Sequence, residues 1–347
     1  MLRRILIGLS VLFALLVMLF VVVRTPDISH DVLAERYGSP ASQYLELPSG
    51  GRAHVRAEGL QTDDAPTLLL VHGSNASLHT WEGWVAELSA RARVISVDLP
   101  GHGLTGGIPS EDYSRDAMIC FLEEVRTLLG IDSWSVAGNS MGGGVAMAYA
   151  LQHPRQVESL ILVDAGGVAV PRGEAESSSE AEPKEERRGA IGFRLMRSPI
   201  FGRLLEHVAP RGIIEQGVRA AHGDPEAVSD DVVDRYFELQ LHPGNRRATR
   251  LRFAATGRAP LDVERIEQPT LILFGEEDNL IPVAAGHRQH ELIADSELIV
   301  YEGIGHVPME EIPERSAADA FGFLERRVWS APIEASAEEG TATTALP

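Results

Sequence analysis

A serine at the centre of a glycine-rich turn is the first residue whose surroundings could support chemistry. Ser140 lies in Gly138-Asn139-Ser140-Met141-Gly142, a G-x-S-x-G pattern, between a short apolar run and a run of small residues typical of a helix. A strand, a sharp turn and a helix in this order would expose the hydroxyl at the tip of the turn. Ser140 is therefore a candidate nucleophile, although an ordinary strand-to-helix loop can carry the same pattern.

A nucleophilic serine needs a base and an orienting acid, and two later segments offer them. His306 follows an apolar run at 298–301, and Asp278 follows another at 270–274. A neutral imidazole within hydrogen-bond reach can take the serine proton as the oxygen attacks. A carboxylate on the other ring nitrogen would hold the tautomer and stabilise the imidazolium. A histidine of an ordinary surface loop is the alternative interpretation of His306.

Other carboxylates compete for the role of the acid. Glu276 and Glu277 directly precede Asp278, and Asp164 follows the apolar run Val157–Val163. The residues alone leave these alternatives open.

Attack on a carbonyl group produces an oxyanion, which needs hydrogen-bond donors. One backbone N–H donor typically contributes about 2.7–4 kcal/mol to the transition state. Met141, directly after the serine, and Ser74, after His72-Gly73, are the candidate donors. His72 is expected to support this loop by hydrogen bonding, while a plain strand-terminating turn is the alternative for His72-Gly73.

These residues would share one edge of a parallel sheet. Short apolar runs alternate with helical patterns, which predicts an α/β fold with a mostly parallel sheet and helices on both faces. The carboxyl ends of parallel strands meet at one edge, where sites form. The predicted strands are 43–47 and 52–57 as a hairpin, then Thr67–Val71, Arg93–Val97, 134–137, Val157–Val163, 270–274 and 298–301.

The alternation is interrupted once, which predicts a helical cap inserted after the sixth strand. The cap covers residues 167–261 and includes an acidic, flexible loop at 173–189. The predicted domains are a membrane anchor at 1–24, a linker at 25–42, the two parts of the core at 43–166 and 262–330, and a disordered tail at 331–347.

The N-terminal segment carries a strong apolar signal. Residues 5–23 are uncharged, follow Arg3 and Arg4, and as a helix would span about 28 Å, close to the thickness of a bilayer core. This predicts a single-pass signal anchor in the cell membrane, with a cytoplasmic N-terminus and an outward-facing catalytic domain. Secretion after cleavage of a signal peptide is the alternative.

Composition excludes other classes of function. The formal net charge of −19 argues against a nucleic-acid partner, and the single cysteine, Cys120, excludes an intramolecular disulfide and is expected to be buried. The G-x-G-x-x-G pattern from Gly101 to Gly106 leads into a proline-containing loop rather than a helix, so no dinucleotide cofactor is expected. His287 and His290 lack a third ligand nearby in sequence, so no metal is expected.

A basic cluster interrupts the otherwise mixed charge of the insertion. Four arginines lie close together in it: Arg246, Arg247, Arg250 and Arg252. A solvated helix face is the expected explanation, and a contact to a substrate carboxylate or to anionic lipid is the alternative.

Taken together, the sequence resembles the α/β-hydrolase superfamily over roughly residues 43–330. The matching segments are Leu70-Val71-His72-Gly73-Ser74, Asp98-Leu99-Pro100-Gly101-His102-Gly103, Gly138-Asn139-Ser140-Met141-Gly142-Gly143, Gly275-Glu276-Glu277-Asp278 and Gly305-His306. The resemblance implies the chain order Ser, Asp, His and places the acid at Asp278.

Two branches of the superfamily are similar to this chain. The Gly-Asn-Ser-Met-Gly-Gly turn is similar to that of meta-cleavage-product carbon–carbon hydrolases, which usually carry a tryptophan after the catalytic histidine, where this chain has Val307. The segments Leu78-His79-Thr80-Trp81 and Gly305-His306-Val307-Pro308-Met309 look more like those of membrane-associated lipases and esterases.

The resemblance implies a serine hydrolase that cleaves carboxylic esters through an acyl-enzyme on Ser140, with a small-molecule or lipid-like substrate. A carbon–carbon hydrolase or a cofactor-free haloperoxidase-type enzyme is the first alternative. A non-catalytic, membrane-anchored binding protein is the second, and the complete set of Ser140, Asp278 and His306 counts against it.

Overall fold

The computed structural model describes residues 2–62, 64–170, 202–204, 206–255 and 260–329. The predicted acidic loop at 173–189 and the predicted tail at 331–347 lie outside these ranges.

A mostly parallel sheet forms the centre of the described structure. Its strand order is β1-β2-β4-β3-β5-β6-β7-β8, and only the pairs β1/β2 and β2/β4 are antiparallel. The strands are β1 Ser42–Glu46, β2 Arg52–Gly59, β3 Thr67–Val71, β4 Arg93–Val97, β5 Trp134–Asn139, β6 Val157–Val163, β7 Thr270–Gly275 and β8 Ser296–Tyr301. The predicted α/β-hydrolase fold is therefore confirmed.

Continuous apolar runs become strands that are covered on both faces. All five residues of β3 are buried. Leu69 and Val71 pack into one hydrophobic cluster, while Leu68 and Leu70 pack into another on the opposite face of the sheet. Side chains alternate across a strand, so a strand between two layers of helices must be apolar at every position.

The described residues also form helices. They are α1 Leu2–Val23, α2 His30–Tyr37, α3 Glu82–Leu88, α4 Arg115–Leu128, α5 Met141–Gln152, α6 Arg211–Ala220, α7 Asp230–Gln240, α8 Asn245–Ala254, α9 Ala284–Leu292, α10 Pro308–Glu311 and α11 Pro313–Leu324. Helix α5 begins directly after β5, and its residues from Gly142 to Ala150 are all buried. The small residues of its first turn let the helix approach the sheet closely.

Helices α6, α7 and α8 lie between β6 and β7 in the chain, where the helical insertion was predicted. Helices α6 and α7 and the segment between them share a small cluster of buried valines, Val218, Val228 and Val233. Leu239 of α7 packs against Leu33 of α2, so the segment before the sheet contacts the inserted helices.

Three arginines of the basic cluster form ion pairs, and Arg247 is also exposed to solvent. Arg246 donates to Asp27 over 2.6 Å, Arg247 donates to Glu111 over 2.5 Å, and Arg250 contacts Glu206. These pairs tie α8 to other parts of the chain.

The N-terminal prediction requires correction. Residues 2–23 form α1. A membrane span needs roughly 20 consecutive, mainly apolar residues in a helix, and the described part of the chain contains no helix that meets the length and apolarity required. This finding overturns the predicted anchor at residues 5–23, the membrane contact and the predicted localisation.

Cys120 also departs from expectation, because it is exposed on α4 rather than buried. The buried residues of that helix, such as Met118, Ile119 and Phe121, surround it in sequence but point to the core.

Candidate active site

The turn between β5 and α5 places Ser140 in a strained conformation. Its φ angle is +54°, in the left-handed region that non-glycine residues rarely adopt. Two backbone bonds hold it there: Ser140 N donates to Val163 O over 3.0 Å, and Gly166 N donates to Ser140 O over 3.0 Å. A Cβ atom on Gly142 would lie 2.3 Å from Val71 O, so the turn excludes a side chain there.

Asp278 and His306 meet beyond the ends of β7 and β8. Nδ1 of His306 lies 2.7 Å from Oδ2 of Asp278, and both residues are buried. The other carboxylate oxygen, Oδ1, accepts hydrogen bonds from Leu280 N over 2.7 Å and from Ile281 N over 3.0 Å. A carboxylate surrounded by donors orients the ring with its proton on Nδ1, which leaves Nε2 free to act as a base.

The competing glutamates lie elsewhere. Glu276 and Glu277 are exposed, although they directly precede Asp278. Of the three acidic residues in this loop, Asp278 alone contacts the ring of His306 among the described contacts.

Asn139 connects the serine turn to the histidine loop. Its side-chain amide donates to His306 O over 3.0 Å and to Val163 O over 3.2 Å. The described contacts contain no hydrogen bond between Ser140 Oγ and His306. Such bonds are often long without substrate and tighten when it binds.

The loop after β3 packs against the serine turn. A Cβ atom on Gly73 would lie 3.1 Å from Cβ of Ser140 and 2.6 Å from Oδ1 of Asn139, so the backbone before Ser74 approaches the nucleophile closely. Met141 is the first residue of α5, and the first N–H groups of a helix have no partner within it. Both predicted oxyanion donors therefore belong to segments that adjoin Ser140.

His72 is part of the support of this loop. Its Nδ1 donates to Gly73 O over 2.7 Å, and its Nε2 accepts from Leu99 N over 3.0 Å. Complete burial lowers the pKa of His72, which keeps the ring neutral and suited to this donor–acceptor pair.

A second aspartate lies next to the Asp278–His306 pair. Asp164 follows β6, has a φ angle of +44°, and is fully buried. Its Oδ1 accepts from Gly275 N over 2.8 Å, whereas its Oδ2 has no hydrogen-bond partner among the described residues. Burial and then the negative charge of Asp278 raise the pKa of Asp164 well above its ordinary value. Both effects favour the protonated form of Asp164.

Asp164, Asp278 and His306 have ligand-type atoms within 4.8 Å of one another, and within the described ranges no other group of three has this property. Metal ligands would have to be deprotonated. The protonated state of Asp164 and the engaged Nδ1 of His306 fit a hydrogen-bonded acid–base pair better than a metal centre.

The structure brings one residue of the basic cluster to the site. Arg252 of α8 is 3% exposed, and its Nη2 donates to Ser74 Oγ over 2.9 Å and to Asn75 Oδ1 over 3.1 Å. Its Nη1 contacts Nε2 of His102, and burial together with this cation lowers the pKa of His102 well below its ordinary value. The expected solvated face is therefore wrong for Arg252. Its position among other arginines in the sequence does not indicate which way its side chain points.

Two other sequence patterns contain none of the residues Ser140, Asp278 and His306. The segment from Gly101 to Gly106 is a loop between β4 and α4, and no helix begins at it. His290 of α9 contacts Ser296 Oγ over 2.9 Å.

Several known proteins are similar in sequence to this chain. A protein of unassigned function from Mycobacterium tuberculosis is 30% identical and covers 80% of this chain and 79% of its own length. The 2-hydroxymuconate semialdehyde hydrolase of a Pseudomonas species is 26% identical, with 74% and 86% covered. Lipase 3 of a Moraxella species is 27% identical, with 80% and 83% covered.

A solved structure supports the fold. The meta-cleavage product hydrolase of Pseudomonas fluorescens superposes with a TM-score of 0.66 at 21% identity, covering 82% of this chain and 97% of its own. The sequence model described as "alpha/beta hydrolase fold" matches residues 66–313, which include Ser140, Asp278 and His306. The chain therefore belongs to the α/β-hydrolase fold family.

Proposed function

We propose that the protein is a serine hydrolase that cleaves carboxylic esters through an acyl-enzyme on Ser140. The observation that carries this proposal is the 2.7 Å contact between His306 Nδ1 and Asp278 Oδ2, in a loop that Asn139 joins to the serine turn. Similarity to Lipase 3 of a Moraxella species supports an ester as substrate.

The proposed reaction assigns one task to each group. Ser140 Oγ attacks the ester carbonyl while His306 Nε2 takes the hydroxyl proton, and Asp278 stabilises the resulting imidazolium. The N–H groups of Met141 and Ser74 would bind the oxyanion. Collapse of the tetrahedral intermediate releases the alcohol with the proton from His306. A water molecule activated by the same imidazole then releases the acid.

The inserted helices are proposed to act as a cap, within the predicted domain boundaries of 167–261, on a core made of 43–166 and 262–330. A cavity of about 290 Å³ is lined by Met141, the residue after the nucleophile, and mainly by other small and apolar residues, with Arg115 as its charged lining residue. Apolar walls of this kind fit the hydrocarbon part of an ester better than a charged group.

A second candidate is hydrolysis of a carbon–carbon bond. The similarity to 2-hydroxymuconate semialdehyde hydrolase points in this direction, and so does Arg252, which brings a permanent cation to the Ser74 loop. A cation there would suit a substrate with a carboxylate close to the reacting carbonyl. The residue after His306 is Val307 rather than the tryptophan usual in that branch, which favours the ester.

Labelling by a fluorophosphonate probe, together with a substrate panel, tests both candidates. We expect wild-type protein to be labelled and to hydrolyse p-nitrophenyl esters. Ser140→Ala should lose labelling and about 10⁴-fold or more of kcat, because only the oxyanion donors and binding remain. Ser110→Ala, which alters an exposed serine, is the matched control and should behave as wild type.

Equal labelling of wild type and Ser140→Ala would refute Ser140 as the nucleophile. Faster turnover of a coloured dienol carboxylate than of any ester in the panel would select the carbon–carbon hydrolase instead. An unlabelled, inactive wild type that binds small molecules tightly would identify a binding protein.

A further inference from the structure

One turn of the inserted helices lies directly on the backbone that carries His306. The turn Ala221–His222–Gly223 follows α6, and His306 N donates to Ala221 O over 2.7 Å. A Cβ atom on Gly305 would lie 2.5 Å from Gly223 N, and one on Gly223 would lie 2.4 Å from Gly303 O. The two backbones are therefore in contact, without an intervening side chain.

A single carboxylate joins these two backbones. Glu311, the last residue of α10, accepts from Gly305 N over 2.9 Å through Oε1 and from Gly223 N over 2.8 Å through Oε2. One oxygen thus binds the residue before His306, and the other binds the cap turn. Hydrogen bonds to an ionised acceptor are roughly twice as strong as neutral ones, so this bridge is the strongest connection between the two segments.

The preceding residue strengthens the same connection. Glu310 accepts from Tyr236 Oη over 2.7 Å, and Tyr236 belongs to α7 of the cap. Arg235 Nη2 lies 3.7 Å from the other oxygen of Glu310. Glu310 and Glu311 of α10 therefore both accept hydrogen bonds from the inserted segment.

The position of the imidazole depends on this bridge. Nδ1 of His306 is fixed on Asp278, so a shift of the Gly305–His306 backbone would tilt the ring and move Nε2 relative to Ser140. A displacement of about 1 Å in a catalytic group can cost on the order of 100-fold in rate. Substrate binding, by contrast, uses the cavity near Met141 and does not need Nε2 in place.

We infer that Glu311 is a positioning residue, through which docking of the cap turn Ala221–Gly223 sets the position of His306, so that the base is competent only while the cap is seated. This inference rests on the proposed hydrolase function. It assigns the cap a second task besides shaping the substrate cavity.

The test compares Glu311→Ala and Glu311→Gln with Glu314→Ala, which alters an exposed glutamate at the start of α11. All are measured in the full chain, on a p-nitrophenyl ester, at a temperature well below unfolding. Turnover is expressed per active site titrated to completion with a fluorophosphonate, so that loss of folded protein lowers the titre and not the turnover.

We expect Glu311→Ala to lower kcat per titrated site by about tenfold to 100-fold, with KM within threefold of wild type. Glu311→Gln should recover part of this loss, because its amide oxygen accepts one of the two N–H groups while its NH₂ group opposes the other. Glu314→Ala should match wild type.

Turnover of both Glu311 variants equal to that of Glu314→Ala would overturn the inference, and so would a change confined to KM or to the titre. Should Glu311→Ala not fold, Glu311→Gln alone decides the matter by the same measurement. Failure of the proposed function is distinguishable, since wild-type protein itself would then show neither labelling nor ester turnover.

Discussion

Two neighbouring strand ends each present a buried aspartate, and the two aspartates differ in their hydrogen-bond partners. Asp278, after β7, accepts two backbone N–H groups and the imidazole N–H of His306. Asp164, after β6, accepts one backbone N–H, and its second oxygen has no partner among the described residues. Asp164 therefore has fewer donors than Asp278, and its burial together with the negative charge of Asp278 favours its protonated form.

The difference explains how two acids can lie beside one base. Two carboxylates at this distance cannot both be charged in a buried site, so one holds a proton. Burial and the charge of Asp278 raise the pKa of Asp164. Asp278, with three donors, remains the acceptor that orients His306.

Substitution of Asp278, which follows β7, should have the largest effect on activity. Asp278→Asn is expected to lower kcat for ester hydrolysis by about 10⁴-fold, because an amide at this position favours the wrong tautomer of His306. Steady-state kinetics on the purified variant measure this, with Glu277→Gln as the control at an exposed neighbouring position. Retention of more than a tenth of wild-type kcat would show that another group orients the ring.

Asp164, which follows β6, should change how the free energy of unfolding depends on pH. The folded carboxyl of Asp164 has a raised pKa, so above about pH 4 the unfolded state binds fewer protons than the folded state. Its contribution to the free energy of unfolding is therefore complete at low pH and falls by up to about 1.4 kcal/mol per pH unit as the pH rises toward the folded pKa. Asp164→Asn lacks this slope.

Urea unfolding of wild type and Asp164→Asn between pH 4.5 and 7.5 checks this sign. The variant should gain stability relative to wild type as the pH rises, since all other groups cancel in the difference. A difference that is constant with pH would mean that Asp164 is ionised in the folded protein.

The smallest expected effect is that of Asp164→Asn on activity. Asp164→Asn replaces a neutral carboxyl by a neutral amide of the same shape, so kcat should stay within about threefold of wild type. Parallel kinetics of Asp164→Asn and Asp278→Asn measure the contrast. The reverse pattern, with the large loss at Asp164, would make Asp164 the orienting acid and Asp278 its protonated neighbour.

Much of the scaffold could be predicted from sequence, because its signals are local. A strand covered on both faces must be apolar throughout, as in Thr67–Val71, and the strained turn at Ser140 needs glycine beside it at Gly142. The order of strand ends then placed Ser140, Asp278 and His306 at one edge.

The remainder depends on contacts that sequence spacing does not encode. Whether Asp164 or Asp278 orients His306 is decided by the donors at Leu280 and Ile281, and these exist only once the loop is folded. The direction of Arg252 depends on how α8 docks on the Ser74 loop. The apolar run at 5–23 predicted a membrane span, and the described structure does not support one.

Three glycines restrict how this protein can diverge or be engineered. They are Gly275 at the end of β7, Gly305 before His306, and Gly223 in the cap turn. A Cβ atom on Gly275 would lie 1.9 Å from Gly305 O, one on Gly305 would lie 2.5 Å from Gly223 N, and one on Gly223 would lie 2.4 Å from Gly303 O. An alanine at any of these three positions forces backbone against backbone, where no rotamer change can relieve the overlap. Libraries that seek new substrate ranges should therefore leave these three glycines unchanged.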